Sequence, residues 1–438
     1  MKVLKFGGTS VGSVERIKGV ASLVSSDPQT KLVVLSAMSG TTNTLLEISD
    51  YYRSQNAVGA ADVISALEEK YYTVASQLLT DAECLHEAEQ VIAQVFDYLR
   101  SFANTHFTLF EEKCVVAQGE LLSTTFFHLY LRQNGVKSAL LPALDFMRID
   151  KNGEPDFKFI EPHLTQMLKE NEGCHIYVTQ GFICRNAYGE IDNLQRGGSD
   201  YSASIIGASV RAEEIQIWTD IDGMHNNDPR FVEGTRPVRN LNFDEAAELA
   251  YFGAKILHPT CITPARMYGI PVRLLNTMQP EAPGTLISSK TEKGKIKAVA
   301  AKDGITSIKI KSGRMLMAYG FMRKVFEIFE QHKTAVDMVT TSEVGVSLTI
   351  DNDKHLDEIV ADLKKYGTVT IDRDMVIVCV VGDMKWDNLG FESRVVHAMA
   401  DVPVRMISYG GSNYNISMLI KADDKSRALN ALSAQLFD

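Results

Sequence analysis

KFGGTS, Lys5 to Ser10, and RGGSD, Arg196 to Asp200, decide how this chain is read. Each follows a strand-like run, carries one cation, and places a hydroxyl residue after a glycine pair. Glycine pairs let backbone N–H groups turn toward a shared centre, which suits phosphate oxygens. Two such cradles, each with its own Lys or Arg, are built to bring two anionic substrates together. The pattern implies a small-molecule kinase.

Working outward, composition narrows the class. A length of 438 residues favours two or three domains. Hydrophobic residues at 45% and charged residues at 23% fit a soluble globular protein. A net charge of −10 argues against a nucleic-acid partner, and it requires a locally positive pocket for anionic substrates. The six cysteines (Cys84, Cys114, Cys174, Cys184, Cys261 and Cys379) form no C-x-x-C pair, so neither a zinc site nor a disulfide framework is expected. The N-terminus runs directly into a strand, and no apolar stretch approaches the roughly 18 residues of a membrane span. The expectation is a cytoplasmic protein with no membrane partner.

Val3–Phe6 reads as a strand and Ser13–Val24 as a helix. Lys31–Ala37 is a buried-strand run ended by the small polar turn Met38–Asn43. From Leu45 to about Phe110 the spacing is helical throughout, and Ser138–Leu141, His175–Gln180, Glu214–Thr219 and Val272–Leu275 are strand-like. This alternation predicts an α/β sandwich on a largely parallel sheet, with ligands beyond the carboxyl ends of the strands. Residues 276–297, with Pro280, Pro283 and Gly284, mark a boundary near 290. Beyond it lies a diverged repeat. Gly320-Phe321 and Gly390-Phe391 lie 70 residues apart, Val336–Val339 and Val404–Ile407 lie 68 apart, and Val346–Ile350 and Ile416–Ile420 lie 70 apart. Two small α+β modules are expected, at 303–372 and 373–438, with strand 296–301 a candidate member of the second.

Individual residues carry the chemistry. Lys5 can reach phosphoryl oxygens beside the Gly7 and Gly8 amides, although a lone lysine in a tight turn is more often a surface residue. The Arg196 guanidinium matches a carboxylate in its planar fork. Ser199 and Asp200 read as caps for a helix from Tyr201. Glu120 reads as a first-turn acid near a helix start, or as a counter-charge for a substrate ammonium. The Trp218–Gly223 loop and Asn227–Arg230 could hold a nucleotide, with Lys255 a further phosphate cation. His258 reads as structural. Neither G-x-x-x-x-G-K-[ST] nor G-x-G-x-x-G occurs.

KFGGTS, SAMSGTTN, GELLS, TQGF, RGGSD, WTDIDG, NDPR, FGAKILHP and TTSEV occur in the order and spacing of aspartate kinases. The chain resembles that family over its whole length, nearest the lysine-sensitive monofunctional type. The resemblance implies an amino-acid-kinase αβα sandwich over 1–290 followed by two ferredoxin-like ACT modules. It implies the reaction ATP + L-aspartate → ADP + 4-phospho-L-aspartate with Mg²⁺, the first step toward lysine, threonine and methionine. By position, it makes Lys5, Gly7, Gly8, Thr9 and Ser10 the phosphoryl-transfer centre, with Asp200 its carboxylate. Thr42, Glu120, Arg196 and Ser199 match aspartate-binding positions, and Thr219, Asp220, Arg230, Lys255 and Ile256 match nucleotide contacts. His225 stands where relatives of this type often have tyrosine.

Spacing alone makes Met315, Phe326, Ile328 and Met338 core. The resemblance adds an effector pocket from Met315, Gly320, Phe321, Val336, Asp337, Thr341 and Glu343, in which Asp337 and Glu343 suit an extra ammonium. Ala318 and Ala335 replace the serines usual there. Lysine is the expected effector, with threonine second, acting through a homodimer of ACT modules that can pair into a tetramer. The rival readings are a kinase of the same fold acting on glutamate, acetylglutamate or UMP, and a catalytically silent amino-acid sensor.

Overall fold

The computed structural model describes residues 1–194, 197–253, 258–311 and 319–437. The chain forms two compact units, Met1–Met224 with Ile256–Ser289, and His225–Lys255 with Lys290–Asp438.

The strands of the first unit are β1 (Lys2–Phe6), β2 (Lys31–Leu35), β3 (Ser138–Leu141), β4 (Ile176–Gln180), the hairpin β5 (Ile183–Arg185) and β6 (Ile191–Asn193), and β7 (Ile215–Thr219). β8 (Asn240–Asn242) belongs to the second unit, and β9 (Val272–Asn276) and β10 (Thr285–Ser288) return to the first. The sheet runs β3-β4-β2-β1-β7-β9-β10, parallel except for β10 against β9. β1 is central, with Lys5 paired to Val34 on one side and Ile217 on the other. β2 and β4 are wholly buried, as strands covered on both faces must be. The helical stretch expected from Leu45 to Phe110 is three helices, Thr41–Arg53, Ala57–Leu78 and Ala82–Ser101. Asn56 and Asp81 break it, each a side-chain cap for the helix that follows.

In the second unit, β11 (Ile296–Lys311), β12 (Val339–Ser342), β13 (Gly345–Ile350), β14 (Thr368–Gly382), β15 (Met406–Tyr409) and β16 (Asn415–Lys421) make one six-stranded antiparallel sheet in the order β12-β13-β11-β14-β16-β15. The repeat is visible in it, since Gly320 and Gly390, at φ 82° and 89°, start equivalent helices Phe321–Gln331 and Phe391–Ala398. Each module has its own apolar cluster. The modules share β11 and β14, and residues 296–302 of β11 pair with 377–382.

One division departs from the sequence reading. Residues 225–255, read as part of the catalytic domain, group with the tail. Val232 enters the second module's apolar cluster, Asn227 Nδ2 donates to the Leu429 carbonyl at 3.0 Å, and Asn415 Nδ2 donates to Glu248 Oε2. Among the described residues no helix is long and apolar enough to cross a membrane.

Candidate active site

β1 delivers Lys5 to the carboxyl edge of the sheet, where the chain turns through Gly7 and Gly8. The Lys5 ammonium lies 3.5 Å from where Gly7 would carry a β-carbon, which places the charge directly over the turn. A β-carbon on Gly8 would come within 2.8 Å of the Ala37 carbonyl oxygen, which forces the close approach of the β1 and β2 turns to use glycine.

Residues 197–200 arrive from another part of the same unit. Gly197, left-handed at φ 69°, caps the helix Gly198–Ser209. Ser199 and Asp200 therefore stand in the first turn rather than before it, where the exposed amides and dipole favour a carboxylate. Lys5 Nζ meets Asp200 Oδ1 at 2.6 Å, and both side chains are nearly buried. Ser36 Oγ, just after β2, donates to Ser199 Oγ at 2.9 Å. The Cys261 thiol donates to the Gly197 carbonyl at 3.3 Å; burial pushes its pKa up to about 12, so it is a neutral donor.

Glu120 corrects the sequence reading. It lies three turns into the 25-residue helix Leu109–Gln133, whose start is fixed by a Thr108–Glu111 capping box. Gly119 marks close packing and not a helix start, since a β-carbon there would strike Ala37 Cβ at 2.8 Å. The Ala37 N–H donates to Glu120 Oε1 at 3.1 Å, while Oε2 is buried without a partner. Burial raises the Glu120 carboxyl to about 8, against the Ala37 hydrogen bond. Such a group is neutral until a cation arrives.

Lys5, Ser36, Thr42, Glu120, Phe182, Gly197, Gly198, Ser199 and Asp200 line one cleft of about 320 Å³. It holds an ammonium–carboxylate pair, three hydroxyls and a carboxyl in want of a positive partner. A larger cleft of about 830 Å³ includes Tyr201 and His258, but its Lys113–Asp192 ion pair closes on itself at 2.6 Å.

The expected nucleotide residues Ser10 and Thr219 are brought together by Thr277. Its hydroxyl lies 2.8 Å from Ser10 Oγ and 3.0 Å from the Thr219 carbonyl. Thr219 Oγ1 accepts from the Ile221 N–H at 3.2 Å, which orders the turn carrying exposed Asp220. Arg230 belongs to the second unit, where Asp228 grips it through both carboxylate oxygens. His225 Nδ1 lies 3.0 Å from Thr235 Oγ1. Arg196, Lys255, Ile256 and Met315 lie outside the described residues. Sequence reasoning passed over Ser36, Phe182 and Thr277; for Ser36 and Thr277 the available signal was a hydroxyl just past the carboxyl end of a buried parallel strand.

Of the expected effector residues, Gly320 and buried Phe321 open their helix, Val336 is half-buried, and Thr341 and Glu343 are exposed. Asp337 is buried before β12, and Glu343 lies on the turn after it. Six residues of extended chain, up to roughly 20 Å, separate the two carboxylates expected to share a pocket.

The amino acid kinase family pattern matches residues 1–276, and an ACT domain pattern matches residues 378–436. Lysine-sensitive aspartokinase 3 of Escherichia coli (strain K12) is 33% identical over 451 residues, covering 100% of this chain and 99% of the relative. Aspartokinase 1, chloroplastic, of Arabidopsis thaliana is 35% identical, covering 100% of this chain and 80% of the relative. The crystal structure of E. coli aspartokinase III with aspartate and ADP (R-state) superposes over the full length of both chains with a TM-score of 0.84 at 30% identity. The complex of that enzyme with lysine and aspartate (T-state) does so with 0.83 at 31%.

Proposed function

The chain belongs to the amino acid kinase family and within it to the aspartokinases, and we propose how its residues divide the work of phosphorylating L-aspartate with ATP. The substrate's side-chain carboxylate, with an ordinary pKa of about 3.9, is already ionised at neutral pH. One of its oxygens bonds to the γ-phosphorus while the bond to the bridging oxygen breaks, and the electron pair leaves with ADP. No proton moves, so no base is required. The protein must align and neutralise like-charged reactants.

Lys5 supplies the positive charge at the transferring phosphoryl group, and Asp200 holds that ammonium in place. Glu120 takes the substrate ammonium, and Arg196, Thr42 and Ser199 take its carboxylate end. Gly7, Gly8, Thr9, Ser10, Thr219 and Asp220 cradle the nucleotide; Arg230, Lys255 and Ile256 are the further nucleotide residues that the family resemblance implies. A magnesium ion carried on the phosphate oxygens would neutralise charge there.

The single observation that carries this reading is the Lys5–Asp200 pair at 2.6 Å on the wall that Glu120 and Ser199 share. A coupled ADP assay tests it. Aspartate should drive ADP release, whereas glutamate, acetylglutamate and UMP should not; a preference for any of those three would overturn the substrate. The same reading extends to regulation: a cytoplasmic homodimer, opening the route to lysine, threonine and methionine and inhibited by lysine through its ACT modules. The lysine-sensitive relative and its lysine complex support the inhibition by lysine. Unchanged rates on titrating lysine at fixed aspartate would discard lysine as the effector.

A further inference from the structure

Asp337, the carboxylate assigned above to an effector ammonium, already holds one. Lys302 Nζ donates to Asp337 Oδ1 at 2.7 Å and reaches Asp351 Oδ2 at 2.9 Å. The Tyr251 hydroxyl donates to the same Asp337 Oδ1 at 2.9 Å, and the ammonium sits 4.4 Å from the centre of the Tyr251 ring. The Asp337 side chain is 1% exposed, and its Oδ2 is buried without a hydrogen-bond partner. Burial opposes charge on Lys302, but Asp337 and Asp351 outweigh it and hold the ammonium above the ordinary lysine range.

The fold does not demand this pair. At the 68-to-70-residue offset of the repeat, Lys302, Asp337 and Asp351 become Asp372, Arg405 and Lys421. The equivalence is structural as well. The Asp337 N–H donates to the Thr349 carbonyl at 2.9 Å, and the Arg405 N–H donates to its counterpart at Leu419 at 2.7 Å. The second module thus carries the opposite signs at the same positions. Its Arg405–Asp372 pair, at 2.9 Å, is partly exposed beside an open cleft of about 520 Å³. In the first module Lys302 is aimed inward beside a register shift in β11, where Gly304 adopts φ 74°.

We propose that Lys302 is a tethered occupant of the Asp337 ammonium site, so that an external primary ammonium gains Asp337 only by exchange with it. This rests on the effector reading of Asp337 and deepens it: Lys302 sets the concentration at which an amino-acid effector acts. When a site is free for only a fraction of the time, apparent affinity falls by that fraction. An entering ammonium also takes over the partner of Tyr251, the last residue of the helix Phe243–Tyr251.

The test uses the full-length chain and Lys302→Met, which keeps the apolar stem and removes the charge, with Lys302→Gln as a second variant should the first not fold. At mildly alkaline pH the variant should melt below the wild type. Methylammonium chloride should restore its melting temperature, tetramethylammonium chloride at matched ionic strength should not, and wild type should respond to neither. Adding Asp337→Asn to Lys302→Met should abolish the methylammonium response. Lysine should inhibit Lys302→Met at a concentration about tenfold lower than wild type. Absence of methylammonium rescue, or an unchanged or weaker lysine response where wild type is inhibited, overturns the exchange. If rescue occurs but lysine inhibits neither protein, the exchange stands and lysine as the effector falls.

Discussion

Glu120 and Asp337 are the same kind of group in two separate units. Each is a buried carboxyl with one hydrogen-bonded oxygen and one left over, and each is assigned an amino-acid ammonium as guest. What separates them is the neighbour. Glu120 faces no cation among the described partners, and burial lifts it to about 8. Asp337 faces Lys302 at 2.7 Å. Burial raises the Asp337 carboxyl too, against the pull of Lys302, so the difference lies in occupancy: an empty seat stays neutral until substrate comes, whereas a filled seat must first be vacated. Substrate binding and effector binding then differ in kind: the first is coupled to a proton, the second to a side chain.

The largest expected effect lies beside the empty seat. Lys5→Ala should lower kcat by about 10²- to 10³-fold, the cost of one oriented charge at a developing anion, with little change in aspartate KM. Arg196→Ala should chiefly raise that KM. Steady-state kinetics at saturating ATP checks both, and equal effects on both parameters in both variants would break the division of labour.

Next comes Glu120→Gln, which keeps an acceptor for the Ala37 N–H but cannot become negative. Aspartate KM should rise roughly thirtyfold, equivalent to about 2 kcal/mol for a buried charge pair. In wild type an ammonium must displace the Glu120 proton, so aspartate should bind more tightly as pH rises toward about 8. The steepest slope is roughly tenfold per pH unit, and it should vanish in the variant. Stability runs the other way. A folded-state pKa raised above the unfolded value contributes most at acid pH, and that contribution is lost as pH climbs through the raised value. Glu120→Gln should therefore gain melting temperature relative to wild type as pH rises from 5 to 8. A parallel pair of melting curves would show that Glu120 is already ionised in the free enzyme.

How much of this was legible in the sequence follows from how local each feature is. β1, the Gly7-Gly8 turn and the paired Gly-Phe helix starts of the repeat are written in neighbouring residues and appear where the spacing places them, whereas the strands read at 336–339 and 404–407 lie at Val339–Ser342 and Met406–Tyr409. That the two glycine cradles meet was read from their motifs, but the role of Asp200 beside Lys5 came through family likeness, because the two lie on a central strand and a distant helix. The environment of Glu120 was misread, since the helix it belongs to starts at Thr108 and its burial depends on Ala37 from another turn. Lys302 was invisible: its direction is set by a register shift in β11, and its carboxylate and phenol partners come from elements dozens of residues away. Placement of 225–255 with the tail was equally hidden, because its contacts are single side chains such as Asn227 and Glu248.

A smaller effect probes the filled seat from its other side. Tyr251→Phe removes one donor from Asp337 and leaves Lys302 in place. It should cost about 1.5 to 3 kcal/mol, the range for a hydrogen bond to a charged group, read as the shift in denaturant midpoint. A cost near zero would mean that Lys302 alone satisfies Asp337, and that exchange of the ammonium would pass nothing on to the helix Phe243–Tyr251.

The smallest effect belongs to the second module. Arg405→Ala removes the charge-inverted counterpart of Asp337, but Arg405 and Asp372 are 33% and 44% exposed, so water and salt already compete for both. Exposed pairs contribute under about 1 kcal/mol, and salt near 1 M should remove most of that. Lys302→Met, by contrast, leaves a carboxylate in a 1% exposed position and should lose several times as much. Were the two variants to lose equal stability, with equal sensitivity to salt, burial would not be what distinguishes the modules. The first module would then hold a surface brace like the second, and no ammonium would need to leave Asp337 for an effector to enter.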